Sequence, residues 1–208
     1  MNNYMFDFDG TLADSGKTAV LATQKTFADF GLVEPSSDQI RGYMGIPIEK
    51  SFPLLGATKD LDEMFDSFRQ NYQTLEADNV KLYPKIKEVL ARLKENGKQI
   101  YAVSSKHSEA LRRNLKLLGI VEYFDDLVGS DQVKHYKPAP DGIELLLERY
   151  ELSKKETVMI GDAIYDIQMG HAAGVKTAGV FWGAFDWDAV LEQKPTFTLM
   201  KVEQLLEM

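Results

Sequence analysis

The chain has 208 residues, a hydrophobic fraction of 44% and a formal net charge of −8, from 24 basic and 32 acidic residues. This length and apolar content suit one folded domain, or one domain with a modest insertion, rather than a disordered chain. The acidic balance argues against binding to nucleic acid or to an anionic membrane, and the absence of cysteine excludes disulfides, zinc–thiolate sites and cysteine nucleophiles. With neither a signal peptide nor a membrane-spanning apolar run in the sequence, we expect a cytoplasmic protein.

The first stretch of the chain combines a predicted strand with two carboxylates. Residues 3–8 are mostly apolar and predict a buried strand. Asp7 and Asp9 lie at its end, and Gly10 permits a sharp turn there. Two neighbouring carboxylates suit a divalent metal, a nucleophile or an acid/base partner. The alternative is a turn that is merely acidic, because Asp and Gly favour turns in any protein.

Residues 15–81 predict helices and no strand. Residues 17–30 and 60–76 carry apolar side chains at helical spacing. A further helix opens near Pro35, with Ser36 or Ser37 as its N-cap. The sequence therefore predicts a small helical cap inserted after the first strand.

From Pro84 onward, predicted strands alternate with predicted helices. The strands are 99–103, 127–128, 157–160, 177–181 and, more weakly, 197–199; the helices are 86–95, 107–118, 141–150, 163–173, 186–192 and 202–207. Such alternation predicts an α/β fold with a Rossmann-like parallel sheet flanked by helices. The core domain then comprises residues 1–14 and 82–208, and residues 15–81 form the helical cap.

Polar residues follow three of the predicted strands. Asp7, Ser104 and Asp162 each come at or just after a strand end. Because the carboxyl ends of parallel strands meet at one edge of a sheet, we expect these side chains to lie together. Lys137 belongs to the rigid segment Lys137-Pro138-Ala139-Pro140 just before a helix, from which it can reach the same edge.

Each of these residues also has a simpler interpretation. Ser104 and Asp162 are suited to cap the helices that follow them. Lys137 alone is typical of a solvated surface lysine, and Asp166, one helical turn after Asp162, is by itself a surface charge. Four aromatic residues near the C-terminus are interpreted as packing under the last helix rather than as a stacking surface: Phe181, Trp182, Phe185 and Trp187.

Taken together, the residues resemble the four motifs of the haloacid dehalogenase-like hydrolases in order and spacing. The matching segments are Asp7-Phe8-Asp9-Gly10-Thr11, Ser104 after an apolar strand, Lys137 before Pro138, and Gly161-Asp162-Ala163-Ile164-Tyr165-Asp166. The resemblance covers the whole chain, including a helical cap between the first and second motifs. Within the superfamily the chain resembles phosphoglycolate phosphatase-like proteins, through Ser104-Ser105-Lys106, Lys137-Pro138-Ala139-Pro140, Gly161-Asp162, and Arg41 and Gly45-Ile46-Pro47 in the cap.

The resemblance implies a magnesium-dependent phosphatase that acts on a small phosphorylated metabolite. Asp7 is then the nucleophile that becomes an aspartyl phosphate, and Asp9 is the acid and the base. Lys137 offsets the charge of the phosphate, and the expected phosphate contacts are Ser104, Ser105, Lys137, Gly10 and Thr11. Mg²⁺ is expected on Asp7, the main-chain carbonyl of Asp9, and Asp162.

Two further roles follow from the same resemblance. Asp166 is expected to orient Lys137 or a metal-bound water. Arg41 is the candidate for the distal group of the substrate, with an exposed helix arginine as the alternative. We expect a monomer or a weak homodimer.

Several functions are compatible with these motifs. Asp9 disfavours P-type ATPases, which resemble the first motif but carry Thr at that position, and also dehalogenases, which lack the acid pair. A β-phosphoglucomutase-like mutase, a pyrophosphatase and a nucleotidase stay open, because substrate choice lies in the cap. A non-enzymatic binding protein has no need of the acid at Asp9 and is disfavoured.

Overall fold

The computed structural model describes all residues from 1 to 208. Its strands are β1 (Asn3–Phe6), β2 (Ala13–Asp14), β3 (Lys81–Leu82), β4 (Gln99–Val103), β5 (Asp126–Val128), β6 (Thr157–Gly161), β7 (Lys176–Val180) and β8 (Phe197–Leu199). Six of them form one sheet in the order β5-β4-β1-β6-β7-β8, in which every neighbouring pair is parallel. The predicted parallel α/β fold is therefore confirmed.

Nine α-helices connect and cover these strands. They are α1 (Gly16–Asp29), α2 (Ser37–Gly42), α3 (Ile48–Leu54), α4 (Leu61–Asn79), α5 (Ile86–Glu95), α6 (Ser108–Leu117), α7 (Asp141–Arg149), α8 (Ile164–Ala173) and α9 (Trp187–Glu192). None of them is both long enough and apolar enough to cross a lipid bilayer.

Both faces of the sheet are buried, and the side chains of β1 show how. Successive side chains of a strand point to opposite faces. Tyr4 and Phe6 accordingly join a core cluster with apolar residues of α5 and α6, whereas Met5 joins a second cluster with residues of α7 and α8. The sheet is thus the middle layer between two layers of helices.

The position of β1 brings the candidate residues together. Phe6, the last residue of β1, pairs with Ala102 in β4 on one side and with Ile160 in β6 on the other. The residues that follow these three strands therefore meet at the carboxyl edge of the sheet, as predicted for the segments after β1, β4 and β6.

Helices α1 to α4 pack on one another between β2 and β3. Helices α1, α3 and α4 share an apolar cluster, which includes Phe27, Phe52, Met64 and Phe65. The predicted N-cap of α2 is confirmed: the Ser36 hydroxyl accepts a hydrogen bond from the amide of the third helical residue, and that residue's side chain accepts one from the Ser36 amide.

Some element boundaries differ from the prediction. β2 and β3 pair as a two-residue antiparallel ribbon at the two ends of the helical block, where no strand was predicted. β1 ends at Phe6, so Asp7 already lies beyond the strand, and the segment Val202–Glu207 is a 3-10 helix. The packing role was wrong for Phe181 and Phe185, whose exposed fractions are 44% and 55%.

Candidate active site

Three carboxylates and one lysine meet at the carboxyl edge of the sheet. Asp7 follows β1, Asp162 follows β6, and Asp166 lies in the first turn of α8; one carboxylate oxygen from each lies within 4.8 Å of the others. The Lys137 Nζ donates hydrogen bonds to Asp7 Oδ1 at 2.8 Å and to Asp166 Oδ1 at 2.7 Å. The structure thus brings together four of the residues singled out from the sequence.

Local hydrogen bonds hold Lys137 and Asp166 in place. The Asp166 Oδ2 accepts a hydrogen bond from the Ala163 amide at 3.0 Å, which caps the start of α8. On the segment that carries Lys137, the His135 amide donates to Asp141 Oδ2 at 2.9 Å. Hydrogen bonds from nearby backbone amides therefore hold the Asp166 side chain and the segment just before Lys137.

The charge of this cluster is unbalanced. Burial raises the pKa of Asp7 to about 7, in spite of the opposing effect of Lys137. Burial, together with Asp166 and Asp7, also raises the pKa of Asp162 well above its ordinary value. Although burial opposes it, the pKa of Lys137 is raised by the carboxylates of Asp166 and Asp7. One lysine faces three carboxylates, so the cluster favours an additional cation.

The turn after Asp9 positions Asp162. The Thr11 hydroxyl donates to Asp162 Oδ1 at 2.8 Å. Gly10 has a φ of +80°, and a Cβ placed there would lie 2.1 Å from a carboxylate oxygen of Asp162. The amides of Gly10 and Thr11 bond to Ala13 and Phe8 in the same turn. The groups of Gly10 and Thr11 that were predicted to contact phosphate are thus engaged within the protein.

A C-terminal loop braces the same turn, which the sequence analysis missed. The Trp182 Nε1 donates to the Thr11 carbonyl at 2.9 Å. The next residue, Gly183, lies so close that an added Cβ would be 1.7 Å from the Gly10 carbonyl oxygen. The Trp-Gly pair after β7 was the only signal for this contact, and it was interpreted as packing.

The serines after β4 have two different environments. Ser104 is buried, and its hydroxyl accepts a hydrogen bond from the Lys106 amide at 3.2 Å. The Ser105 hydroxyl donates to the Gly45 carbonyl at 2.7 Å, and Gly45 belongs to the helical block between α2 and α3. Ser105 therefore links the helical block to the sheet edge, a contact that the sequence did not indicate.

Asp9 lies outside the carboxylate cluster and has two polar contacts of its own. Its Oδ1 accepts a hydrogen bond from the Ser15 hydroxyl and lies 3.3 Å from the Nζ of Lys106. The Lys106 side chain is 11% exposed, and its Nζ lies 4.0 Å from the centroid of the Tyr72 ring. Although burial opposes it, Asp9 and then Tyr72 raise the pKa of Lys106.

Lys106 is a candidate site residue that the sequence analysis quoted only as part of a motif. Its position two residues after the buried Ser104, at a strand end, was the available signal.

A cavity of about 420 Å³ opens between the sheet edge and the helical block. Asp7, Asp9 and Ser104 lie in its wall, together with residues of α2, α3 and α4. Arg41 does not line it. Arg41 lines a neighbouring cavity of about 380 Å³ with Asp162 and other residues of the core, so the structure places it away from the cavity that holds Asp7 and Asp9.

Comparison with known proteins identifies the family of the chain. Residues 4–180 match the model of the haloacid dehalogenase-like hydrolase family, so the chain belongs to that family and is a hydrolase. It is 32% identical to pyrophosphatase PpaX of Bacillus velezensis over 97% of this chain and 93% of that protein. It is 33% identical to a phosphoglycolate phosphatase of Aquifex aeolicus over 100% of this chain and 96% of that protein.

Among solved structures, a haloacid dehalogenase-like hydrolase from Bacteroides fragilis superposes with a TM-score of 0.87. It is 30% identical to this chain, and the match covers 98% of this chain and 99% of the other. The family resemblance seen in the four sequence motifs is therefore confirmed.

Proposed function

We propose that the protein is a magnesium-dependent phosphatase that hydrolyses small phosphomonoesters through an aspartyl phosphate on Asp7. The observation that carries this proposal is the position of Asp7. Its carboxylate contacts Lys137, lies within 4.8 Å of the Asp162 carboxylate, and lines the cavity that also contains Asp9. Asp7 thus belongs both to the cluster with Lys137 and Asp162 and to the wall of the cavity that contains Asp9.

The carboxylate cluster suits a magnesium ion. Asp7 and Asp162, with the main-chain carbonyl of Asp9, would offer the hard oxygen ligands that Mg²⁺ prefers. Asp7, Asp162 and Asp166 face only one lysine, so negative charge is in excess where the cation would bind. When bound, Mg²⁺ supplies positive charge that stabilises the phosphoryl oxygens in the transition state.

In this proposal the hydrolysis takes place in two chemical steps. In the first, the Asp7 carboxylate forms a bond to phosphorus while the bond from phosphorus to the leaving oxygen breaks, and Asp9 gives that oxygen a proton. In the second, Asp9 accepts a proton from a water molecule whose oxygen attacks phosphorus. Phosphate leaves and the Asp7 carboxylate is restored.

Lys137 supports both steps. It reduces the repulsion between the Asp7 carboxylate and an incoming phosphate dianion. Its second hydrogen bond, to the buried Asp166, fixes the direction of the ammonium group. We therefore assign Asp166 the role of positioning Lys137.

Residues 15–81 form a cap over the site in this proposal. Helices α1, α3 and α4 share an apolar cluster, and the β2–β3 ribbon joins both ends of the block to the core. The Ser105–Gly45 and Asp9–Ser15 hydrogen bonds connect the block to residues of the site. Such a cap admits the substrate and then limits the access of water to the acyl phosphate.

The proposal is tested by phosphate release from p-nitrophenyl phosphate and from a panel of phosphorylated metabolites, without any bisphosphate activator. Wild-type protein and the control Asp188→Asn, an exposed aspartate on α9, should turn over with Mg²⁺ and stop in excess chelator. Asp7→Asn should be inactive, because an amide is a poor nucleophile.

Full activity in chelator would contradict the metal assignment. Near wild-type turnover by Asp7→Asn would contradict the covalent route. A requirement for a sugar bisphosphate, with no free phosphate formed in its absence, would favour a mutase over a hydrolase. The name of the Bacillus velezensis relative makes pyrophosphate the second candidate substrate.

A further inference from the structure

The cavity next to Asp7 is much larger than a phosphate group requires. At about 420 Å³, it falls within the range of roughly 300–1,000 Å³ that is typical of sites for drug-sized ligands. Its outer wall is formed largely by apolar side chains of the helical block, such as Ile40, Met44 and Ile46. The space beyond the phosphate therefore suits a sizeable organic group.

Three aromatic residues of the cavity wall, Phe52, Phe68 and Tyr72, contact one another in that order. Phe52 and Phe68 meet edge to face with ring centroids 5.5 Å apart, and Phe68 and Tyr72 follow at 5.8 Å. The Nζ of Lys106 lies 4.0 Å from the centroid of the Tyr72 ring and 3.3 Å from Asp9 Oδ1. All three residues belong to the cavity wall; Phe52 and Tyr72 are buried, and Phe68 is the most exposed of the three. The partly exposed ring of Phe68 therefore favours contact with a ring of the substrate.

The cations in the cavity wall are already paired with carboxylates. Lys106 lies 3.3 Å from Asp9, and Arg69 bonds to Glu49 at 2.9 Å and to Asp66 at 2.8 Å. Arg113 is held by Glu76, to which it donates through Nε and Nη2.

A second anionic group on a substrate would therefore meet no cation without a partner in this cavity; Arg41 lies in the neighbouring cavity. The anionic group would instead meet Glu49 and Glu109, which line the same cavity as Asp7. Removing an anion from water without a partner is costly, and nearby like charges add to that cost. Neutral polar side chains are present in the wall, namely Thr23, Ser51 and Gln73, and these suit hydroxyl groups.

We propose that the substrates are phosphate monoesters of uncharged, ring-bearing alcohols, and that esters with a second anionic group are poor substrates. This inference rests on the proposed phosphatase function and narrows it. It predicts that the substrates named for two relatives are poor substrates of this protein, because pyrophosphate carries a second phosphate and phosphoglycolate carries a carboxylate.

A matched pair of substrates tests the inference directly. Phenyl phosphate and 4-carboxyphenyl phosphate share the ring and differ by one carboxylate, which also makes the second leaving group slightly better. The expected kcat/KM is at least about tenfold higher for phenyl phosphate, which corresponds to about 1.4 kcal/mol. Pyrophosphate and phosphoglycolate should likewise be poorer substrates than a nucleoside monophosphate.

Glu49→Gln tests the reason for the preference. Removing this carboxylate frees one side of Arg69, so kcat/KM for 4-carboxyphenyl phosphate should rise relative to phenyl phosphate by about two- to fivefold, the value of an exposed ion pair. Glu63→Gln makes the same charge change at an exposed residue of α4 outside the cavity, and it should leave the ratio unchanged.

The outcomes separate this inference from the proposed function. Turnover of monoesters with equal or better kcat/KM for the anionic partner, or for pyrophosphate, overturns the inference and leaves the phosphatase intact. An unchanged ratio in Glu49→Gln overturns its electrostatic reason. No turnover of any monoester overturns the proposed function itself.

Discussion

Glu76 provides the sharpest prediction about how the helical block is held on the core. It lies on α4 and is 4% exposed. Its carboxylate accepts hydrogen bonds from Arg113 Nε at 2.5 Å and Nη2 at 3.1 Å, and from Asn114 Nδ2 at 2.7 Å, all on α6. One buried carboxylate thus joins the proposed cap to the sheet domain.

Glu76→Ala should lower the free energy of unfolding by about 2–4 kcal/mol. Hydrogen bonds to a charged group each contribute roughly 1.5–3 kcal/mol, and an unpaired buried amide costs about 1–3 kcal/mol. Asn114 is fully buried and would lose its acceptor. The side chain of Arg113 is 37% exposed, so water can replace part of its contact with Glu76. The expected loss of unfolding free energy is therefore smaller than the sum of the individual contributions.

Urea denaturation provides the assay, with Glu88→Ala as the control. Glu88 pairs with Lys85 on the surface, where such pairs contribute roughly 0–1 kcal/mol. Glu76→Gln keeps an acceptor for Asn114 and should lose less than Glu76→Ala. A loss in Glu76→Ala no larger than that of Glu88→Ala would refute the assigned strength of this contact.

Four further predictions follow from the site. Tyr72→Phe removes a buried hydroxyl without a hydrogen-bond partner, so the free energy of unfolding measured in urea should stay equal or rise by about 1 kcal/mol; a clear fall would contradict this. Because burial raises the pKa of Asp7 to about 7 in the folded state from the ordinary 3.8, the folded protein binds more protons than the unfolded chain between these values. In chelator, stability should therefore fall as pH rises from about 4 to 7, and Asp7→Asn should reduce that slope; denaturation at a series of pH values measures it, and an unchanged slope would contradict the assignment. Thr11→Val removes the hydrogen bond to Asp162 and should weaken Mg²⁺ binding about 10- to 100-fold by calorimetry, whereas unchanged affinity would deny Thr11 this positioning role. Asp9→Asn should lower kcat/KM, which reports the first step, by about 10²–10⁴-fold for poor leaving groups and by less for p-nitrophenyl phosphate, and an equal loss for both would remove Asp9 from the acid role.

The sequence predicted the sheet, and the meeting of the candidate residues at its edge, because both depend on patterns that span many residues. The alternation of apolar strands and amphipathic helices after Pro84 defines a parallel sheet, and parallel strands place their carboxyl ends together. The sequence alone therefore predicted that Asp7, Ser104 and Asp162 lie close together. The two-residue strands β2 and β3 could not be predicted, since they are too short to show a period.

The contacts that the sequence did not reveal depend on the three-dimensional path of loops. Lys106 reaches Asp9 because its side chain folds back over Tyr72 from α4, a residue distant in sequence. Trp182 reaches the Thr11 carbonyl across 171 positions of the chain. Arg41 lies on α2 of the helical block, but the face of the block from which it projects was not encoded in any motif.

The central claim is that Asp7 becomes phosphorylated during turnover. It is tested most directly by rapid acid quench of Asp9→Asn mixed with p-nitrophenyl phosphate and Mg²⁺, followed by mass spectrometry of the N-terminal peptide. This variant keeps the nucleophile but lacks the base for the second step, so phosphate should accumulate on Asp7 together with a burst of about one p-nitrophenolate per enzyme. A burst of p-nitrophenolate with no phosphorylated Asp7 would contradict the account.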